Sequence, residues 1–215
     1  IGLAAGDYLC TVTDAAGCPE SETVTITEPL TAVNPSSIVT SDHNGQEISC
    51  NGASDGEGTA SAIGGTPSLI GSPYTYEWNT NPIQYTDIAT GLNVAGSPYT
   101  CMVTDANGCS NPTTLVITEP LPIDTLSTFS TPTNCNGDAD GSATVTADPL
   151  TGTPPFSYSW NDILSQQTQT AINLTAQSYE CEITDINGCS SPLNPVIVTV
   201  NEPDLLVATV SQTIN

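Results

Sequence analysis

The sequence predicts an all-β chain built of tandem two-sheet sandwiches, and three observations predict it. A block of motifs recurs with a period of roughly 80–90 residues, the usual size of one sandwich domain. Aromatic residues alternate with polar ones at the two-residue spacing of a half-buried strand. Thr, Val, Ile and Ser are abundant, 17 Gly and 17 Pro punctuate them, and no amphipathic helical stretch is present. An up-and-down barrel is the alternative architecture.

The repeat is read from three motifs. Tyr8-Leu-Cys10-Thr-Val-Thr-Asp14-Ala-Ala-Gly17-Cys18 returns as Tyr99 to Cys109 and again as Tyr179 to Cys189. Each copy is followed by an alternating strand ending in Glu-Pro, at Glu28-Pro29, Glu119-Pro120 and Glu202-Pro203. Ahead of the second and third copies stand Cys50-Asn-Gly-Ala-Ser-Asp55-Gly56 and Cys135-Asn-Gly-Asp-Ala-Asp140-Gly141, then Pro73 to Trp78 and Pro155 to Trp160. The expected organisation is therefore the tail of a repeat at 1–29, complete repeats at 30–120 and 121–203, and the first strand of another at 204–215. Ile1 is no natural start, so the chain reads as an internal segment of a longer array, its repeats abutting at Glu-Pro without a linker.

Within 30–120 the elements follow in order. An extended stretch surrounds Ile38–Thr40, and Asp55-Gly56 turns into a strand at Gly58–Ile63 that Gly64-Gly65-Thr-Pro67 breaks. Tyr74, Tyr76 and Trp78 lie two apart and share one strand face. Trp78, with its counterpart Trp160, is expected at the centre of the core. A middle strand near Gln84–Ile88 leads to a corner at Gly91-Leu92. Tyr99 to Asp105 is the next strand, turning at Asn107-Gly108, a dipeptide favoured in type I′ hairpins. Leu115, Ile117 and Glu119 finish the repeat. A buried tryptophan, and a Tyr-x-Cys at Tyr99 and Tyr179 matching a tyrosine corner, make the sandwich immunoglobulin-like.

Composition excludes whole classes of function. There is no Lys or Arg, one His, 23 acidic residues and a net charge of −23. Nucleic-acid phosphates and anionic membranes are thus not partners. Schiff-base chemistry and bidentate carboxylate clamps are denied as well. No apolar run approaches the ~20 residues of a membrane helix. Eight cysteines without zinc-ligand spacing point to disulfides and an oxidising, extracellular setting.

The ordered motifs resemble the SprB repeat: Cys-x-Gly-x-x-Asp-Gly, Gly-Gly-Thr-Pro, Pro-Tyr-x-Tyr-x-Trp, Tyr-x-x-x-Val-Thr-Asp-x-x-Gly-Cys and Ile-Thr-Glu-Pro. That repeat occurs in very large gliding-motility adhesins of Bacteroidota and is similar to the polycystic-kidney-disease type of immunoglobulin-like domain. The resemblance implies export by the type IX secretion system, attachment at the outer membrane and display as a surface filament. Its implied partners are external surfaces or polysaccharide, neighbouring repeats, and the gliding and secretion machinery. The cysteine of Tyr-x-Cys and the Ser68–Ser72 insertion depart from the family pattern.

Candidate sites are few. In a sandwich of this topology Cys50 and Cys101 lie at the same end, so the expected disulfides are Cys50–Cys101 and Cys135–Cys181. Cys101–Cys109, with Cys10–Cys18 and Cys181–Cys189, is the competing scheme. Cys109, at a turn facing the preceding domain, is placed to bridge domains or to stay free. The oxygen-rich run containing Asp138 and Asp140 has the spacing of a calcium loop. Asp55 matches Asp140, but Ala53 stands opposite Asp138, leaving only Asp-Gly shared, and Asp-Gly is itself a turn signal. A structural turn is the expectation and calcium the alternative; no cofactor is required. His43 reads as a solvated loop residue. Glu28, Glu119 and Glu202 recur where they would set the joint rather than do chemistry. Asp124-Thr125-Leu126 resembles a short Bacteroidota O-glycosylation signal, with Thr125 the acceptor. No enzyme is expected: the reading is a surface filament segment, with a glycan- or protein-binding module or accessory repeats of a surface hydrolase as alternatives.

Overall fold

The computed structural model describes residues 2–211. It is all-β apart from one 3₁₀ turn at Val94–Gly96. A two-stranded hairpin, β1 (Gly6–Thr13) and β2 (Pro19–Ile26), comes first. Next follow β3 (Asn34–Val39), β4 (Gly56–Ile63), β5 (Thr75–Trp78), β6 (Ile88–Leu92), β7 (Tyr99–Thr104) and β8 (Ser110–Leu115). The last six are β9 (Thr125–Thr131), β10 (Gly141–Ala147), β11 (Ser157–Trp160), β12 (Thr170–Leu174), β13 (Gln177–Thr184) and β14 (Val196–Val200). The same order appears twice: sheets β3-β4-β6 and β5-β7-β8, then β9-β10-β12 and β11-β13-β14. These are strands A, B and E on one sheet and C, F and G on the other, the immunoglobulin-like arrangement without strand D. The chain is a tandem immunoglobulin-like β-sandwich protein.

By contact density the chain divides into two compact units. One comprises Ile1–Ile38, Thr59–Ile88 and Tyr99–Leu115; the other comprises Val39–Gly58, Ala89–Pro98 and Val116–Asn215.

In the first unit, β5 pairs antiparallel with β7 so that Trp78 faces Cys101, both fully buried. Trp78 Nε1 donates to Thr86 O at 3.0 Å, which satisfies the one polar atom of the ring. Tyr74 is buried, Tyr76 half-buried and Trp78 buried, with exposed residues between them, as the alternation requires. Gln84 lies outside the strands and forms an isolated bridge to Trp78, and the middle strand begins at Ile88 rather than ending there. The β1–β2 hairpin repeats the register of a strand F–G pair, yet Leu9, Val12 and Val24 stand exposed. In β7 the position matching Val12, Val103, is fully buried.

The second unit holds one complete sandwich core. Trp160, Val145, Ile183, Leu174, Tyr179 and Val200 belong to a single buried cluster, drawn from both sheets. Trp160 faces Cys181 and donates from Nε1 to Thr168 O at 2.9 Å. Tyr179 Oη donates to Thr175 O, four residues back, closing a tyrosine corner; Tyr8 does the same with Ala4 O. The Asp-Gly glycines serve packing, not turn geometry. Gly141 has no positive φ, and a Cβ there would lie 2.6 Å from Val200 Cγ1.

Two expectations about chain geometry are corrected. Gly108 and Gly188 have positive φ while Asn107 and Asn187 do not, so the hairpins are not type I′. Asp105 O accepts from Gly108 N and Cys109 O accepts from Asp105 N, which makes a three-residue loop ending in a left-handed glycine. At 204–215, residues 204–211 carry no strand, and 212–215 lie outside the described residues.

Candidate functional site: the joint between repeats

The recurring aspartate of the Asp-x-x-Gly-Cys turn organises one half of the site. Asp185 Oδ1 accepts from Asn187 N and Cys189 N, both at 2.9 Å, while Oδ2 accepts from Thr153 N at 2.9 Å. Asp105 does the same with Asn107, Cys109 and Thr66. The Thr66 amide, helped by the other turn amides, holds the Asp105 carboxyl below its ordinary pKa. Each turn therefore presents its cysteine on a rigid platform.

The Cys-Asn-Gly loop is the other half, and its own Glu-Pro fixes it. Asn51 Nδ2 donates to Glu119 Oε1 and to Pro120 O, both at 3.1 Å, and Gly52 N donates to Glu119 Oε2 at 2.7 Å. In the second repeat Asn136 Nδ2 donates to Pro203 O and Gly137 N to Glu202 Oε2. The loop also closes internally: Asp55 Oδ1 accepts from Ser49 N, and Asp140 accepts from both nitrogens of Asn134. Burial pushes the Asp55 carboxyl up, but the hydrogen bonds to Ser49 and the His43 charge more than offset it, leaving it below its ordinary value.

The two halves meet once. Cys50 and Cys189 form a disulfide across 139 residues of sequence, with a Cα–Cα distance of 5.5 Å. Asn187 donates from Nδ2 to His43 O and Ser49 O, both at 3.1 Å, and accepts from Asn44 Nδ2. A cavity of about 310 Å³ lies beneath, lined by Cys50, Pro120, Ile123, Gly152, Asp185 and Cys189 among others. Cys50 also packs on the core cluster of the second repeat.

This overturns the expected Cys50–Cys101 and Cys135–Cys181 pairs. Cys101 and Cys181 are fully buried free thiols opposite the tryptophans, where burial pushes each up to about 11. They act as small hydrophobes, which is why they can stand where the family pattern has an apolar residue. The competing scheme fails too, because Cys189 is committed to Cys50 and Cys10, Cys18 and Cys109 are free. The domain-bridging role weighed for Cys109 is the one its counterpart Cys189 performs.

The remaining candidates fall out as follows. Trp78, Trp160, Tyr99 and Tyr179 are all buried, as expected of core. Asp55 and Asp140 close loops, and among the described residues no group of three His, Cys, Asp or Glu side chains could hold a metal. His43 is half-buried rather than solvated, with Nε2 3.8 Å from Asp55 Oδ1 and its backbone engaged by Asn187. Thr125 is half-buried, with its Oγ1 turned inward and making no hydrogen bond.

A family model, the SprB repeat, matches residues 44–82 and 127–164. The chain carries two SprB repeats. Each matched segment holds a Cys-Asn-Gly loop and a core tryptophan; the tyrosine-corner strand and Glu-Pro of each repeat lie outside it. No curated protein matches the sequence. Among solved structures, the chain is similar to the fibronectin(III)-like modules of Clostridium thermocellum CbhA. That likeness is 11% identity over 82% of this chain and 100% of that chain, with a TM-score of 0.27. Among the described residues, no helix is long and apolar enough to cross a membrane.

Proposed function

We propose that this SprB-repeat chain is a non-catalytic segment of a long cell-surface adhesin filament, acting outside the cell in surface adhesion and gliding motility after type IX secretion. The observation that carries the reading is the joint, where Cys50–Cys189 and the Asn187 hydrogen bonds tie the Cys-Asn-Gly loop to the later Asp-x-x-Gly-Cys turn. The SprB-repeat matches are consistent with a surface adhesin segment. The absence of Lys and Arg and a charge of −23 keep such a chain soluble and repel copies of it from one another. Repeated sandwiches suit weak contact made many times to external surfaces or polysaccharide, without a cofactor. The gliding and secretion machinery are the partners that hold and export it.

The test compares one copy with many. Beads densely coated with the chain should stick to glass and polysaccharide films, while the monomer shows no saturable binding on a glycan array. Tight, saturable binding by the monomer would replace the filament reading with a binding module. The Ser68–Ser72 loop favours that second reading, because Leu69 and Ile70 stand almost fully exposed at its tip. In that case Leu69→Ser and Ile70→Ser would abolish the signal.

A further inference from the structure

Asn-Gly is the dipeptide most prone to deamidation, because glycine has no Cβ to keep its backbone nitrogen away from the asparagine side chain. The chain holds five: Asn44-Gly45, Asn51-Gly52, Asn107-Gly108, Asn136-Gly137 and Asn187-Gly188. In a flexible chain the glycine nitrogen loses its proton and attacks the asparagine Cγ. The side-chain nitrogen leaves as ammonia, and a succinimide ring remains. Water then opens the ring to aspartate or isoaspartate, with no oxidant or reductant involved.

In the fold all five glycine nitrogens donate a hydrogen bond. Gly45 N donates to Asp42 Oδ1 at 2.7 Å, and Gly108 N and Gly188 N donate to Asp105 O and Asp185 O at 3.1 and 3.0 Å. Gly52 N and Gly137 N instead reach a glutamate 67 and 65 residues further along: Glu119 Oε2 at 2.7 Å and Glu202 Oε2 at 2.8 Å. The asparagine side is held as well. Asn51 Nδ2 donates to Glu119 Oε1 and Pro120 O, and Asn136 Nδ2 donates to Pro203 O.

We propose that Asn51 and Asn136 are latent deamidation sites, kept shut by Glu119 and Glu202. The glutamate holds the N–H that must lose its proton, and its negative charge opposes the nitrogen anion that would form. With its amide tied to a proline carbonyl, the asparagine side chain is not free to swing onto the glycine nitrogen. At Asn51 the reaction would reinforce itself. The product puts a carboxyl where Glu119 now has a donor, so the clamp opens and the loop that carries Cys50 loses its anchor. This goes beyond the filament reading and does not depend on it.

The experiment ages the whole chain at mildly alkaline pH and body temperature, and reads conversion at each Asn-Gly by mass spectrometry of peptic peptides. Glu119→Ala should speed conversion of Asn51 at least about tenfold, the scale of one hydrogen bond to a charged group. Asn107 and Asn136 should keep their own rates. Glu202→Ala should speed Asn136 and spare Asn51. Glu119→Gln, which keeps an acceptor and drops the charge, should fall between the unaltered chain and Glu119→Ala. Cys101 and Cys181 staying closed to iodoacetamide shows that a variant is folded; if Glu119→Ala opens them, Glu119→Gln takes its place. In a folded variant, an unchanged rate at Asn51 would overturn the proposal. So would an equal rise at Asn107 and Asn136, which would trace the effect to loosening of the whole chain instead of the clamp.

Discussion

Cysteine serves three purposes here, and its surroundings decide which. Facing Trp78 and Trp160, Cys101 and Cys181 are core atoms that burial holds protonated. At the Asp-capped turn and the Glu-clamped loop, Cys189 and Cys50 are brought within bonding distance. Cys10, Cys18, Cys109 and Cys135 are exposed and free. Iodoacetamide on the native protein should therefore label these four and spare Cys101 and Cys181, with both appearing only after unfolding. Labelling of Cys181 in the folded state would mean that its core is not closed. The burial of Trp and Tyr was legible in the sequence because a two-residue period writes core directly into the residue order. The disulfide was not, because the pattern locates each cysteine within its own repeat and says nothing of which neighbour it meets.

Among the elements, two short motifs that flank the strands fix one another within each repeat. The Cys-Asn-Gly loop and Glu-Pro lie 67 residues apart yet form one clamp, so each needs the other. Sequence showed both as recurring and placed Glu119 and Glu202 at the joint, but their acceptor role toward Gly52 and Gly137 depends on a closed sandwich. The Asp-Gly pair was legible as a fixed element and misread in cause: Gly141 is needed because strand β14 comes too close for a side chain. Cross-linking two sandwiches over 139 residues restricts the unfolded chain by roughly 5 kcal/mol in the chain-entropy model. Cys50→Ser should lower the melting temperature and separate one transition into two. A single unchanged transition would show that the Asn187 contacts suffice alone.

For the whole molecule, acidity works in two opposite ways. Asp105 is held below its usual pKa by the Thr66 amide, and Asp55 by loop hydrogen bonds that outweigh burial. For Asp162, burial pushes the carboxyl up while hydrogen bonds to Gln166 more than offset it. A lowered folded-state pKa adds stability that is complete above the unfolded value of 3.8 and lost as pH falls through the folded one. Against this, a charge of −23 repels itself at neutral pH, and protonation relieves that strain. The expected profile is a melting temperature that rises with added salt at pH 7 and falls steeply below about pH 3.8. Asp105→Asn should blunt the acid limb. An acid limb unchanged by that variant would remove the turn aspartates from the account.

The Cys50–Cys189 bond also decides how such a chain would yield if pulled from its ends. Tension entering before residue 50 crosses the sulfur bridge and leaves after residue 189, bypassing the 139-residue interval between them. At about 3.3–3.6 Å per extended residue, roughly 460–500 Å of slack stays locked away even if both sandwiches melt. Over that interval the bridge passes on a tug that an uncrosslinked chain would absorb by paying out.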